Sequence, residues 1–328
     1  MLVQASSPQR SLRIVLPGGS GQLGQILARH FQERGHHVTV LTRGPYTAPW
    51  LTVHWDGVSI GSWTEHLEGA DVCINLAGHS VNCRYHTRNR ESIYNSRIDT
   101  THLLNQVILN LADPPKVWLN ASTATIYRHA LDRPMDEATG ELGGNEPGAT
   151  AKWNFSIRVA KDWESAFFET PTPRTRKVAL RTTVVFAPLA GNAFTIFSNL
   201  VRASFGGQQG NGRQFVSWIH DLDFARAVEF LIARDDLDGP INLASPNPLP
   251  NREFMAILRE AWDMPNGLPL PSPLLALGAL VMRTETELVL KSRRVIPTRL
   301  LDAGFHFDYE NWPAAAEDLV YRWRHRFD

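Results

Sequence analysis

LRIVLPGGSGQLG, residues 12–24, begins as an apolar run and ends as glycine punctuation. Residues 12–17 carry the near-continuous apolar side chains of a strand buried in a sheet. Residues 22–34 (QLGQILARHFQER) then place Leu23, Ile26, Leu27 and Phe31 on one helical face, and Gly35 ends that helix. Between strand and helix, Gly18, Gly21 and Gly24 fall at G-x-x-G-x-x-G spacing. Gly18 allows a sharp turn off the strand. Gly21 leaves no Cβ between the backbone and an approaching diphosphate, and Gly24 lets the helix pack against the sheet. The first helical N–H groups and the positive end of the helix dipole complete an anion site. Gly18, Gly19, Ser20, Gly21, Gln22, Leu23 and Gly24 are therefore the candidate diphosphate cradle of a dinucleotide.

The next strand, 37–42 (HVTVLT), ends in Thr42–Arg43–Gly44. Proteins that take NAD place an acid there for the ribose hydroxyls. No acid is present, and the planar guanidinium of Arg43 suits a 2′-phosphate. Thr42 and Arg43 thus point to NADP(H).

Further outward, β-rich runs at 51–55, 71–77, 116–121 and 177–185 alternate with helical stretches at 88–112 and 150–168. On the first of these helices Ile93, Ser96–Arg97, Thr100, Leu103–Leu104 and Val107 recur at helical spacing. This alternation predicts an α/β fold, a Rossmann-type doubly wound parallel sheet, over 12–185. The remainder, 186–328, reads mainly as a smaller C-terminal substrate-side lobe broken by Pro265, Pro269, Pro271, Pro273 and Pro297, with strand and helix returning to the sheet from 212–245. The loop 128–150 is long enough to suggest a functional role.

Composition narrows the function classes. With 33 basic and 33 acidic residues the formal net charge is zero, which gives no general attraction to nucleic acid or to an anionic membrane. Cys73 and Cys83 form neither a disulfide framework nor a metal-ligand spacing, and no His pattern suggests a metal. Residues 1–11 lack the apolar core of a secretory signal, and the run Leu274–Met282 is too short to cross a bilayer. A cytoplasmic, soluble protein is expected.

The segments PGGSGQLG (17–24), INLAG (74–78), SRIDTTHLL (96–104), LRTTVVFAP (180–188), GRQFVSWIHDLDFARAV (212–228) and SRRVIPTRLLDAGFHF (292–307) occur in one order along the chain. In this the sequence resembles an extended short-chain dehydrogenase/reductase, and within it the epimerase-like group of sugar nucleotide epimerases with a C-terminal domain of unknown function. The resemblance implies that Asp56 meets adenine, that Leu76, Ala77 and Gly78 lie along a cofactor ribose, and that Arg213 meets a substrate diphosphate. It also implies a small-molecule substrate and a tendency to form homodimers.

Catalysis is where the pattern departs. Active members pair a Tyr with a Lys four residues on, one helical turn apart, beside the hydride path. Those positions carry Ser156 and Ala160, and no Tyr of the chain has Lys four residues later. Lys161 sits one position off, about a hundred degrees around the helix axis. Ser122 and Thr123, at the end of the fifth strand, remain as substrate-orienting hydroxyls, with Tyr127 as the candidate proton donor. The segment after the fourth strand supplies His79, Arg84, His86, Arg88 and Arg90 at the end of the sheet where ligands bind. Of these, His79 and Arg84 are the candidate substrate residues, alongside a solvated helix start as the plainer alternative. His220–Asp221 reads as a structural joint between lobe and sheet. Two functions follow: an NADP(H)-binding, epimerase-like oxidoreductase acting on a polar and conceivably nucleotide-linked substrate, or a catalytically weak NADP(H)-binding sensor or partner-binding protein.

Overall fold

The computed structural model describes residues 10–144, 146, 149–273 and 290–325. The apolar run 274–282 and most of the N-terminal segment lie outside the described residues.

The strand–helix alternation folds into a sheet built from β1 (Arg13–Pro17), β2 (His37–Thr42), β3 (Leu51–His54), β4 (Val72–Asn75), β5 (Val117–Thr123), β6 (Arg176–Thr182) and, after the short strands β7 (Val184–Phe186), β8 (Phe215–Val216) and β9 (Trp218–His220), β10 (Gly239–Leu243). The seven sheet strands lie in the order β10-β6-β5-β4-β1-β2-β3, and every pairing is parallel. The chain winds outward from β1 to β3, then restarts at β4 on the other side of β1 and winds the opposite way. The crevice between those two directions, at the carboxyl ends of β1 and β4, is where open α/β sheets bind ligands.

Helices α1 (Gln22–Glu33), α2 (Thr87–Asn110), α3 (Ala151–Phe168), α4 (Ala193–Arg202) and α5 (Asp221–Ala233) divide by the face they cover. Leu27, Ala28 and Phe31 of α1 and Phe224, Val228 and Leu231 of α5 pack with Ile14, Leu16 and Val40 on one face. Leu103, Leu104 and Val107 of α2 and Phe167 of α3 pack with Val15, Cys73 and Trp118 on the other. Leu27 and Phe31 are fully buried, each worth about 1.5–3 kcal/mol of transfer free energy. The second lobe has its own core, where Phe186, Phe194 and Trp218 pack against Phe254 of α6 (Asn251–Ala261) and, beyond the short α7 (Thr298–Asp302), Trp312 of α8 (Trp312–Arg324). Strand β11 (Leu249–Pro250) pairs with β8.

The returns expected from 212–245 are β10, at the sheet edge, and α5, on its face. The single run expected over 177–185 divides at Thr183. The backbone N–H of Thr183 donates to Leu243 O at 3.0 Å and its hydroxyl to the same oxygen at 2.9 Å. Past that anchor β7 leaves the main sheet and pairs with β9. A run of β-branched residues carries no sign of such a break, because the acceptor arrives from 60 residues on.

The described part of the loop 128–150 is a clamp. Met135 is buried and bridges to Val295, while Ser292 donates to Ala130 O at 2.5 Å. His220, fully buried, stacks on Tyr309 and pairs with Asp318 at 2.9 Å, so this joint ties α8 to α5 as expected. Among the described residues no helix is long and apolar enough to cross a membrane, and no group of His, Cys, Asp and Glu could hold a metal. Cys73 is fully buried and desolvation pushes its thiol pKa well up. The native protein should therefore yield at most one alkylated thiol to iodoacetamide at pH 8, and two only after unfolding, counted by mass spectrometry. Two fast-reacting thiols in the native state would contradict this packing.

Candidate functional site

A cleft of about 890 Å³ lies at the carboxyl ends of the strands, where the winding direction reverses. The glycine turn forms its floor. Gly18 has φ +74°, and a Cβ there would stand 2.6 Å from the backbone N of Ala77, so only glycine lets β1 turn this close to the end of β4. A Cβ on Gly21 would meet no atom nearer than Gly18 O at 3.8 Å, which leaves open space at the start of α1. No side chain caps that helix. Its first N–H groups are thus available to an anion.

The role expected for Gly24 needs correction. A Cβ there would lie 2.2 Å from Gly19 O and 2.4 Å from Gly19 Cα, so the close approach is to the turn itself rather than to the sheet. Gln22 also has a structural duty: its side chain donates to Ala190 O at 2.8 Å and accepts from Asn192 at 3.2 Å, tying the turn to the segment before α4. Ser20 and Thr42 share a hydroxyl hydrogen bond of 3.1 Å beneath the cleft.

Arg43 stands exposed at the rim, in reach of the cleft, with no hydrogen bond or ion pair to any described residue. Asp56 also lines the cleft, but its carboxylate accepts from the N–H groups of Val58 and Ser59 at 2.8 and 2.9 Å and from the Ser59 hydroxyl. Those hydrogen bonds hold its pKa down at about 2. Its first duty is to shape its own loop. Leu76, Ala77 and Gly78 line the cleft beside the end of β4, joined by His79 and Arg88. The Ala77 N–H is held by Asn75, which in turn donates to Asn120 at 2.7 Å. His79 is fixed through its backbone, its N–H donating to Ser96 Oγ at 2.8 Å. Arg84 and Arg213 do not line this cleft. Arg90 is held by Tyr85 O at 2.8 Å and lies over the Phe155 ring, and His86 caps α2.

The three candidate catalytic hydroxyls separate. Ser122 Oγ donates to Glu164 at 2.6 Å, and Glu164 holds Arg181 through two hydrogen bonds of 2.8 and 2.7 Å. The same guanidinium donates to Tyr127 Oη at 2.9 Å, while Tyr127 donates to Asn242 at 3.0 Å. Tyr127 is 2% exposed and desolvation raises its pKa. Its hydroxyl and that of Ser122 are therefore parts of an enclosed polar network, and the expectation that Tyr127 donates a proton in the cleft is corrected: its hydrogen is held by Asn242. Thr123 differs. Its Oγ accepts from Thr125 N at 3.2 Å and donates to no described residue, although Thr123 too is outside the cleft lining. Ala160 is buried, and Lys161 Nζ lies 3.7 Å from where a Gly144 Cβ would be, turned toward the 128–144 segment.

Sequence reading passed over one residue. Arg97, read as part of a stripe at helical spacing, has its guanidinium against Gly78 of the cleft lining, although Arg97 is not itself a lining residue. Helical spacing placed it on the inward face but could not show that its neighbour there is a wall of the cleft.

Comparison with known proteins agrees with this fold. The model of the NAD dependent epimerase/dehydratase family matches residues 14–244, and that of a domain of unknown function, DUF1731, matches residues 270–319. The chain is 29% identical to the epimerase family protein SDR39U1 of Mus musculus, covering 94% of this chain and 100% of that protein. It is 31% identical to the epimerase family protein ML0860 of Mycobacterium leprae, covering 94% of each. The crystal structure of human SDR39U1 with NADPH superposes with a TM-score of 0.80 at 27% identity, over 94% of this chain and 99% of that one. A glycine turn at the switch point of a parallel sheet and a match spanning both lobes lead to one conclusion: the chain belongs to the NAD dependent epimerase/dehydratase family and carries the DUF1731 domain at its C-terminal end.

Proposed function

We propose that the protein is an NADP(H)-binding, epimerase-like oxidoreductase acting on a polar small-molecule substrate, with nucleotide-linked compounds the first to test. The observation that carries the cofactor reading is Arg43, an exposed guanidinium without a partner among the described residues, at the rim of a cleft floored by an uncapped helix start. The residues fit the group. The α1 N-terminus would hold the diphosphate, Arg43 the 2′-phosphate, and Leu76–Gly78 the second ribose. That human SDR39U1 was crystallised with NADPH supports the same choice. When bound, the cofactor would supply a hydride donor or acceptor. For the chain's own part, Thr123 would orient substrate through its free hydroxyl hydrogen. His79, which lines the cleft, would meet the substrate there, while Ser122 and Tyr127 would stiffen β5 from behind.

Arg43→Gln is expected to weaken NADPH about ten- to a hundredfold, since a charge-assisted phosphate pair is lost, and to leave NADH within about threefold. Fluorescence titration of the two cofactors reads this directly. Equal loss for both would remove Arg43 from the 2′-phosphate.

A second reading, a cofactor sensor without strong catalysis, is favoured by the enclosure of the Tyr127 hydroxyl and the absent Tyr/Lys spacing. Turnover of bound NADPH against a panel of polar carbonyl compounds separates the two.

A further inference from the structure

The sheet order divides the cleft. A dinucleotide whose diphosphate sits at the start of α1 and whose phosphorylated ribose meets Arg43, past β2, must extend its other half the opposite way. That way lies over the end of β4, at Leu76–His79. Arg97 stands there. Its Nη1 donates to His79 O at 3.1 Å and to Ile93 O at 2.9 Å. A Cβ on Gly78 would lie 3.2 Å from Cζ and 3.3 and 3.4 Å from Nη2 and Nη1. A point so nearly equidistant from the three atoms is above the guanidinium plane, not at its edge. Trp163 supplies a second wall, its ring centroid 5.1 Å from Cζ.

No carboxylate forms an ion pair or hydrogen bond with Arg97 among the described residues. The groups that favour its charge are the Tyr85 phenol and the Cys83 thiol, which are ordinarily neutral near pH 7. Burial pulls the guanidinium pKa down to about 10, still far above neutrality, so the charge persists. Glu91 and Asp99 line the cleft from α2, but both are exposed and their effect is screened by water. A mostly enclosed cation without a counter-anion is costly, and such groups cluster where a ligand uses them.

We propose that Arg97 sets the redox preference of the cleft: its unneutralised charge favours the reduced, uncharged nicotinamide over the oxidised, cationic ring. This rests on the NADP(H) reading above and adds which form is held. The two forms differ by one positive charge on the ring. Against a fixed cation at an effective dielectric of about 20, that difference amounts to about ten- to a hundredfold in affinity, tenfold being about 1.4 kcal/mol. The asymmetry suits a protein that works from NADPH as the resting complex.

The test is a pair of equilibrium titrations of the full-length protein, one with NADPH and one with NADP+, repeated on Arg97→Lys and Arg97→Gln. The wild-type protein is expected to bind NADPH at least tenfold more tightly. Arg97→Lys should keep most of that ratio because it keeps the charge, whereas Arg97→Gln should bring it to within about threefold of unity. Should Arg97→Gln not fold, Arg97→Met, which keeps an aliphatic stem against Trp163, replaces it with the same expectation. A wild-type ratio near one, or a ratio unchanged in the neutral variants, overturns the proposal while leaving the cofactor reading intact. Failure of the wild-type protein to bind either form overturns both.

Discussion

Gly24→Ala is expected to lower stability by about 2–3 kcal/mol and to weaken NADPH binding by a hundredfold or more. The sign is the reverse of the usual one, since alanine inside a helix is ordinarily better than glycine by about 1 kcal/mol. Here the new methyl group would lie 2.2 Å from Gly19 O and 2.5 Å from Gly19 C. Those are backbone atoms of the turn, so no side chain can rotate away. Either α1 tilts off the sheet or the turn opens, and overpacking of this kind costs about 1–3 kcal/mol. Both movements displace the first N–H groups of α1 from the diphosphate. Gly35→Ala is the control: its φ is +79° but nothing stands within 4 Å, so it should cost about 1–2 kcal/mol and leave binding unchanged. Urea unfolding and NADPH fluorescence measure the two effects. Near wild-type binding by a folded Gly24→Ala protein would show that the turn does not hold the cofactor.

Arg181→Met is expected to destabilise the fold by about 3–5 kcal/mol, because it strands the Glu164 carboxylate in a buried site. Glu164 and Arg181 side chains are 11% and 8% exposed and joined at 2.7 Å, and Ser122 and Tyr127 both lean on the pair. Removing both charges, as Glu164→Leu with Arg181→Met, should restore at least half of the loss, since an apolar pair of similar volume often matches a buried ion pair. Urea midpoints of the single and double variants decide it. If the double variant is no better than the single, the loss lies in packing or in the Ser122 and Tyr127 hydrogen bonds, not in the stranded charge.

The two predictions fall on opposite sides of what the linear chain reveals. The glycine turn is legible because its demands are local: a strand, a tight turn and a helix start lie within 12 consecutive residues, Arg13–Gly24, and the missing Cβ atoms are visible as letters. Arg43 is legible for the same reason, standing one residue past β2. The Glu164–Arg181 network is not. Register between β5 and β6 sets Ser122 opposite Arg181, α3 delivers Glu164, and Asn242 comes from the far edge strand. Tyr127 was therefore readable as a residue near the cleft but not as one whose hydroxyl is enclosed. Arg97 failed differently: its inward face was correct, yet periodicity does not show that what it packs against there is the back of the cleft wall at Gly78.

From the order of residues alone came the α/β class, the glycine turn, the expectation of a phosphorylated ribose and the absence of the Tyr/Lys spacing, all read from neighbouring positions and backbone sterics. Tertiary structure decided which hydroxyl keeps a free hydrogen, which carboxylates are already engaged, where the sixth strand breaks and which cation stands behind the cleft wall without a carboxylate. Those outcomes depend on partners brought together from far along the chain, Tyr127 and Asn242 standing 115 positions apart, and hydrogen-bond donors and charges acquire their meaning only once every competing acceptor is in place.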